Sequence, residues 1–153
     1  MVLALCLLTG CAGMTGTFDN PDATTENGDL GQGIADEFKS LRAIRGHFDG
    51  GDWNADVDEW MGRKHQLMIE LQSLLGTGAY SKAEVIQLLD PPDLIARQGD
   101  ELFDQINSIA GFEAPATGSY EFLIYYWRGT HDFLYFTAQD EAIVNSGWWY
   151  AGE

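Results

Sequence analysis

Residues 52–58 carry oxygen-bearing side chains at every second position, a pattern that could bind a hard cation such as calcium. A calcium loop starting at Asp52 would need glycine at its sixth position and glutamate at its twelfth, but Val57 and Arg63 stand there. Acidic residues also cluster at helix N-termini, where the backbone dipole is positive. We therefore predict that this segment begins a helix and that the protein has no metal site. The four side chains are Asp52, Asn54, Asp56 and Asp58.

The histidines do not suggest catalysis. His47, His65 and His131 are too widely spaced for a zinc motif, and the sequence has neither a G-x-S-x-G elbow nor a P-loop. His131 and Asp132 are adjacent on a predicted strand, where neighbouring side chains point to opposite faces, so they cannot act as a general-base pair. We predict that the protein is not an enzyme and uses no cofactor.

Cys11 has the clearest chemical signature in the chain. It follows the apolar stretch Val2–Leu8, and the sequence Leu-Thr-Gly-Cys at residues 8–11 resembles a bacterial lipobox. The resemblance implies that residues 1–10 are a signal peptide, removed when the Cys11 thiol is lipidated. Cys6 lies inside that signal, so the mature chain would have no disulfide. The alternative is an apolar terminus without a signal function.

Charge restricts the partners of the chain. Its 153 residues include 8 Lys and Arg against 24 Asp and Glu, which gives a net charge of −16. Nucleic acid is excluded as a partner because phosphate contacts need clustered basic residues. Anionic lipid headgroups would repel the chain, so we expect it to reach a membrane through its N-terminal lipid.

The residue after the predicted lipidation site bears on localisation. Ala12 follows Cys11, whereas Asp at that position would resemble an inner-membrane retention signal. We therefore predict a lipid-anchored protein of a Gram-negative cell envelope, attached to the outer membrane and facing the periplasm. Residues 11–33 are rich in Gly, Thr, Asp and Asn, and they predict a flexible tether between the lipid and the folded domain.

Apolar residues spaced three and four apart predict two amphipathic helices within residues 34–75. Gly50 and Gly51 separate them, which favours an antiparallel helical hairpin spanning 34–76. Lys64 interrupts the second apolar stripe, and we expect its aliphatic stem to lie along the edge of the core.

Two shorter helices are predicted after the hairpin. Ser81 and Glu84 have the spacing of a capping box, so a helix begins there and ends before Pro91. A further helix is predicted near residues 100–110, where apolar residues recur at helical spacing before Gly111.

Three strands rich in Tyr, Phe and Trp are predicted at 119–128, 131–138 and 141–150. Gly129-Thr130 predicts a two-residue turn in which Arg128 pairs with His131. Both faces of this sheet are then apolar, so either helices cover both faces or one face is an exposed aromatic surface. In the first case, the 34–75 hairpin would cover one face and the 81–110 helices the other.

The sequence therefore predicts a single α+β domain at residues 34–153. Its helical hairpin (34–76) and two short helices would pack on a C-terminal three-stranded antiparallel sheet.

Residues 78–150 resemble the BamE (SmpA/OmlA) family of small outer-membrane lipoproteins. The resemblance rests on the helix Ser81–Leu89 followed by Pro92-Asp93, on the pair Tyr126-Trp127, and on the return strand at 133–136. It implies a non-enzymatic domain that binds other subunits of outer-membrane protein assembly. Asp90 stands where the family has Gly, and residues 34–75 lie outside the family pattern.

Two binding functions are predicted. The first is a lipid-anchored envelope interaction module, an accessory subunit in outer-membrane protein assembly with an envelope protein as partner. The second is a periplasmic glycan- or peptide-binding lipoprotein whose surface aromatics stack on sugar rings or side chains. The candidate partner-binding residues are Tyr126, Trp127, Arg128, His131, Trp148 and Trp149.

Replacing Cys11 by Ser tests the membrane attachment. Without the thiol no lipid can be added, and a chain of net charge −16 has no other strong means of holding an anionic membrane. We expect the variant to be recovered uncleaved or in the soluble periplasmic fraction. Full retention in carbonate-washed outer membranes would contradict the lipoprotein prediction.

Overall fold

The structure is a computed structural model that describes residues 23–109 and 111–152, with the side chains of 23–29 left undescribed. The predicted signal peptide and Cys11 lie outside the described residues. The fold is α+β, with helices preceding most of an antiparallel sheet. Its elements are α1 (Ala23–Arg42), a 3-10 helix (His47–Asp49), α2 (Ala55–Asp58), α3 (Arg63–Leu75), α4 (Lys82–Leu89), β1 (Leu94–Ala96), α5 (Glu101–Asn107), β2 (Tyr120–Arg128), β3 (Asp132–Gln139) and β4 (Ala142–Trp149).

The sheet of the described residues has four antiparallel strands in the order β1-β2-β3-β4, so the prediction of three strands is wrong. The additional strand β1 pairs with β2, for example Ile95 with Leu123. It contains only three residues. A segment of this length is too brief to show the two-residue alternation by which a strand is recognised.

The predicted pairing of β2 with β3 is confirmed over most of its length, including Leu123 opposite Phe136 and Tyr125 opposite Leu134. It fails at the turn, because the register shifts after Tyr126 and Arg128 pairs with Asp132 instead of His131. The turn therefore has three residues, 129–131, and Gly129 begins it with a φ of +53°. Glycine adopts this left-handed conformation without steric cost.

Each face of the sheet is buried under its own apolar cluster, which confirms the prediction that helices cover both faces. The first core joins one face of the sheet to α1, α3 and α4, and the second joins the other face to α5. The prediction paired α4 with α5 on one face, whereas α4 packs with α1 and α3. The sheet residues of the first core are Leu123, Tyr125, Trp127, Leu134, Phe136, Ala138 and Ile143. Those of the second core are Ala96, Phe122, Ile124, Phe133 and Tyr135.

The helices of residues 34–76 differ from the predicted hairpin. The first begins at Ala23, so residues 23–33 of the predicted tether belong to α1. The second is divided into α2 and α3 by residues 59–62, where Met61 has a φ of +60°. Gly62 caps α3 in so tight a bend that a Cβ there would lie 2.3 Å from the Ala55 carbonyl oxygen. The apolar stripe continues across this break, which is why periodicity alone predicted one helix.

Arg42 forms a brace between the end of α1 and the chain that leaves α4. Its guanidinium donates to the carbonyl oxygens of Leu89 (3.1 Å) and Pro91 (2.8 Å) and forms an ion pair with Asp93 (2.7 Å). The other carboxylate oxygen of Asp93 accepts a hydrogen bond from the backbone N–H of Tyr126 in β2 (2.8 Å). A single arginine therefore connects α1, the end of α4 and the sheet.

The predicted capping box at α4 is confirmed. The Glu84 carboxylate accepts from the Ser81 N–H (2.8 Å), and the Ser81 hydroxyl accepts from the Glu84 N–H (3.2 Å). The Ser81 hydroxyl also donates to the Glu84 carboxylate at 2.7 Å, and this bond, followed by the one from the Ser81 N–H, holds the pKa of Glu84 below its usual value. Val85 and Leu89 are fully buried in the first core, while Leu88 packs against it half-buried.

The capping box and the apolar face of α4 give a stability prediction. Replacing Ser81 by Ala should lower the free energy of unfolding by about 1 kcal/mol, because the cap is lost. Replacing Leu89 by Ala should cost roughly 2–5 kcal/mol, because it leaves a cavity in the first core. Leu88→Ala is the matched control and should cost less than Leu89→Ala. Urea denaturation measures all three, and equal losses for the two leucine variants would contradict this placement of α4.

Candidate partner-binding site

Trp127 is the centre of the aromatic region, but it does not face a partner. Its side chain is fully buried, so its predicted role as a contact residue is wrong. The indole stacks on the His65 ring at 4.1 Å between centroids with 14° between planes. Trp60 and Trp148 meet the same indole edge-on, at 5.6 Å and 6.5 Å. Trp127 therefore supports the aromatic residues around it.

Arg128 does not project from the hairpin tip as predicted. Its Nε donates to the Asp132 carboxylate at 2.8 Å, and both side chains are largely buried. The guanidinium also lies 4.4 Å from the Trp127 ring centroid and 4.8 Å from that of Phe48. A guanidinium has several N–H donors in its plane and two flat faces, so one arginine can bind a carboxylate and pack against two aromatic rings. Arg128 consequently has a structural role at the end of β2.

His65 connects the buried indole to the surface. Its Nδ1 accepts a hydrogen bond from the Met61 N–H (3.1 Å), so the neutral ring carries its proton on Nε2. Nε2 lies 3.3 Å from the Tyr150 hydroxyl and can donate to it. Burial lowers the pKa of His65, Arg128 lowers it further, and Asp132 partly opposes the shift. The imidazole is therefore held neutral as a packing and hydrogen-bonding group.

The surface above this base is formed by three exposed side chains. Trp60, Met61 and Tyr150 have exposed fractions of 56%, 47% and 42%, and we call these residues the aromatic patch. Trp60 lies 5.4 Å from Tyr150 between ring centroids. Positive φ is costly for a residue with a side chain, so the Met61 backbone is held there by its surroundings. Large exposed apolar side chains on a rigid base are typical of a binding surface.

Trp148 belongs to the edge of the aromatic patch. Its ring is parallel to that of Tyr150, with 5.4 Å between centroids and 3° between planes. Its Nε1 donates to the side-chain oxygen of Gln72 at 2.9 Å, which fixes the ring orientation. Trp148 is half-buried. Of the predicted contact residues, it is the one that the structure places beside the patch.

The remaining predicted contact residues lie elsewhere. Trp149 stacks on Phe133 (6.2 Å, 13°) and Tyr126 meets the same ring edge-on at 6.1 Å, both on the face of the second core. His131 is exposed in the β2–β3 turn. The six predicted residues therefore do not form one surface.

Sequence analysis missed Trp60, Met61 and Tyr150 as a group. Trp60 and Met61 fit an unbroken helical stripe, which predicted them to be buried. Gly62 was the one local signal for a break in the helix. Nothing in the spacing links position 60 to position 150, because their rings come into contact only when the chain folds.

The N-terminal segment of α2 is where the acidic pattern was found. Asn54 caps the helix by accepting from the Asp56 N–H at 3.0 Å, which confirms the prediction of a helix start. Asp58 is buried and accepts from the backbone N–H groups of His47 and Asn54. The carboxylate thereby ties the 47–54 loop to α2. Within residues 23–109 and 111–152, no group of three or more His, Cys, Asp or Glu side chains is arranged to hold a metal ion.

Comparison with known proteins identifies no relative. No protein-family model matches the chain, and searches of the curated proteins and of the solved structures return no match. None of the described helices is both long and apolar enough to cross a bilayer.

The pKa of His65 gives a pH prediction. The unfolded chain takes up a proton on this residue near pH 6.5, whereas the folded protein does so only at a lower pH. The free energy of unfolding should therefore fall as the pH decreases from about 7.5 towards 5, by at most about 1.4 kcal/mol per unit from this group. His65→Phe keeps a ring on Trp127 and should have a smaller slope in urea denaturation. Equal slopes would show that His65 titrates alike in both states.

Proposed function

We propose that the protein is a non-enzymatic binding domain whose aromatic patch contacts a partner protein in the cell envelope. One observation carries the proposal: Trp60, Met61 and Tyr150 are exposed together on a base made rigid by the Trp127–His65 stack. Trp and Tyr are the residues that most often dominate binding energy at protein interfaces, and Met is enriched there.

The geometry also lowers the cost of binding. Trp60 packs against both His65 (4.6 Å) and Trp127 (5.6 Å), so its rotamer is largely fixed before a partner arrives. Tyr150 is held between Trp148 and the His65 Nε2 atom. Side chains ordered in advance lose little conformational entropy on association. The free energy gained by covering this apolar area is then reduced little by the entropic cost of ordering side chains.

Lipid attachment at Cys11 would hold the domain, and with it the aromatic patch, close to the membrane. An acidic domain on a lipid anchor stays away from anionic headgroups and presents its surface to envelope proteins. The resemblance of residues 78–150 to the BamE family supports an accessory role in outer-membrane protein assembly. Both the anchor and this role are parts of the proposal.

A glycan or peptide ligand is the second candidate. The exposed rings of Trp60 and Tyr150 supply the apolar faces on which sugar rings stack. A protein partner is the better fit, since the Met61 side chain contributes flexible apolar area and only a weak hydrogen-bond acceptor, whereas sugar hydroxyls need strong polar partners.

Affinity purification from mildly solubilised membranes tests the proposal. Trp60→Ala and Tyr150→Ala should each weaken the affinity for a co-purifying protein by about 30-fold and so reduce its recovery, because losing such an interface residue costs about 2 kcal/mol. Trp53→Ala is the matched control, because Trp53 is exposed to the same extent (58%) but packs with His47 and Phe48.

The thermal midpoint is measured for each variant, so that loss of binding is separated from loss of folding. Undiminished recovery with folded Trp60→Ala would remove the patch from the interface. Loss of binding to purified peptidoglycan in the same variant, with no co-purifying protein in the wild type, would favour the glycan candidate instead.

A further inference from the structure

A cavity lined in part by Trp127 lies between the end of α1, the loop that follows it, the start of α3 and β2. It measures about 250 Å³ and is open to solvent on one side. Three of the eight basic residues of the chain line it, in a protein of net charge −16. We call this cavity the Lys64 pocket; its polar lining consists of Arg42, Arg45, Asp49, Lys64, Asp93 and Tyr126.

Lys64 lines the pocket and is itself buried, whereas the sequence predicted only that its aliphatic stem lies along the edge of the core. Only 4% of the residue is exposed. Its Nζ donates to the carbonyl oxygen of Trp127 at 2.5 Å, and an ammonium group has three donors. Within the described part of the chain this is its one hydrogen bond, and no carboxylate is close enough to form an ion pair with it. Burying a charged group is costly unless hydrogen bonds or an opposite charge compensate it, and the ammonium group of Lys64 has donors left for such a partner.

The carboxylates of the pocket do not meet that need. Both oxygens of Asp93 are engaged, one by Arg42 and the other by the Tyr126 N–H. Asp49 attracts Lys64 from a distance, but burial is the larger effect and lowers the lysine pKa. The lining therefore favours a negatively charged ligand over a cation.

Arg45 stands at the open side of the pocket. It is exposed, and its Nε donates to the Asp49 carbonyl oxygen at 2.6 Å, which positions the guanidinium. No other hydrogen bond in the described chain uses its terminal nitrogens. Arg45 and Lys64 line the same cavity, so one bound anion can meet both residues.

We propose that the Lys64 pocket binds a small oxyanion, a carboxylate or a phosphate group, with Lys64 Nζ as its inner contact and Arg45 as its outer one. The cavity, at about 250 Å³, has room for one such group with its nearest atoms. This site is separate from the aromatic patch, and the inference does not depend on the proposed partner.

Isothermal titration calorimetry of the folded protein with inorganic phosphate and with acetate tests the inference, with sodium chloride at matched ionic strength as reference. We expect saturable one-site binding of at least one anion. Arg45→Gln should weaken it about tenfold, as for a lost charge-assisted hydrogen bond. Lys39→Gln is the control, since it removes the same charge from α1 outside the pocket and should change affinity less than about twofold.

Lys64→Met should abolish binding while keeping the aliphatic stem in place. If that variant does not fold, amide NMR of the wild type and Arg45→Gln carries the test, with anion-dependent shifts expected at Tyr126 and Trp127. Binding of phosphate alone, of acetate alone or of both identifies which oxyanion the pocket accepts. No saturable binding of either anion, or equal weakening by Arg45→Gln and Lys39→Gln, overturns the inference.

Discussion

The central sheet has two apolar faces, and the arrangement of the helices follows from the need to keep water off both. An antiparallel sheet with one solvated face alternates apolar and polar residues, but β2 and β3 are buried on both sides. The long α1 and α3 helices cover one face with α4, and the short α5 covers the other. Trp127, near the end of β2, is buried in the first core under these helices. Because Trp60 and His65 pack on its ring, the aromatic patch keeps its geometry only while Trp127 stays buried.

Regular patterns in the sequence predicted the regular parts of the fold. The β2–β3 register and the division of its side chains between two faces followed from alternation, and the α4 cap followed from Ser81 and Glu84. The strand β1 and the break at residues 59–62 were missed, because one is too short for a periodic signal and the other lies inside an uninterrupted apolar stripe. Lys64 was expected at the core edge, whereas the structure buries the whole residue, and its ammonium group donates to the Trp127 carbonyl oxygen.

The candidate site was less accessible to sequence analysis than the fold. Counting aromatic residues near the β2–β3 turn correctly identified a dense region, but it assigned contact roles to residues that support the structure. Arg128 illustrates the difficulty, since Arg at a turn next to Trp is equally consistent with a contact residue and with an ion pair to Asp132. The patch is assembled from residues 60, 61 and 150, and their proximity follows from tertiary packing that no local pattern encodes.

The Arg42 brace has a consequence for the motions of the protein. The end of α1 and residues 89–93 belong to different segments of the chain, but the same guanidinium binds both. If either segment moves away, the bonds between Arg42 and residues 89–93 break. The two segments should therefore unfold locally together, as one cooperative unit. Amide hydrogens at the α1 C-terminus and at β1 would then exchange with solvent together, although about fifty residues of chain separate them.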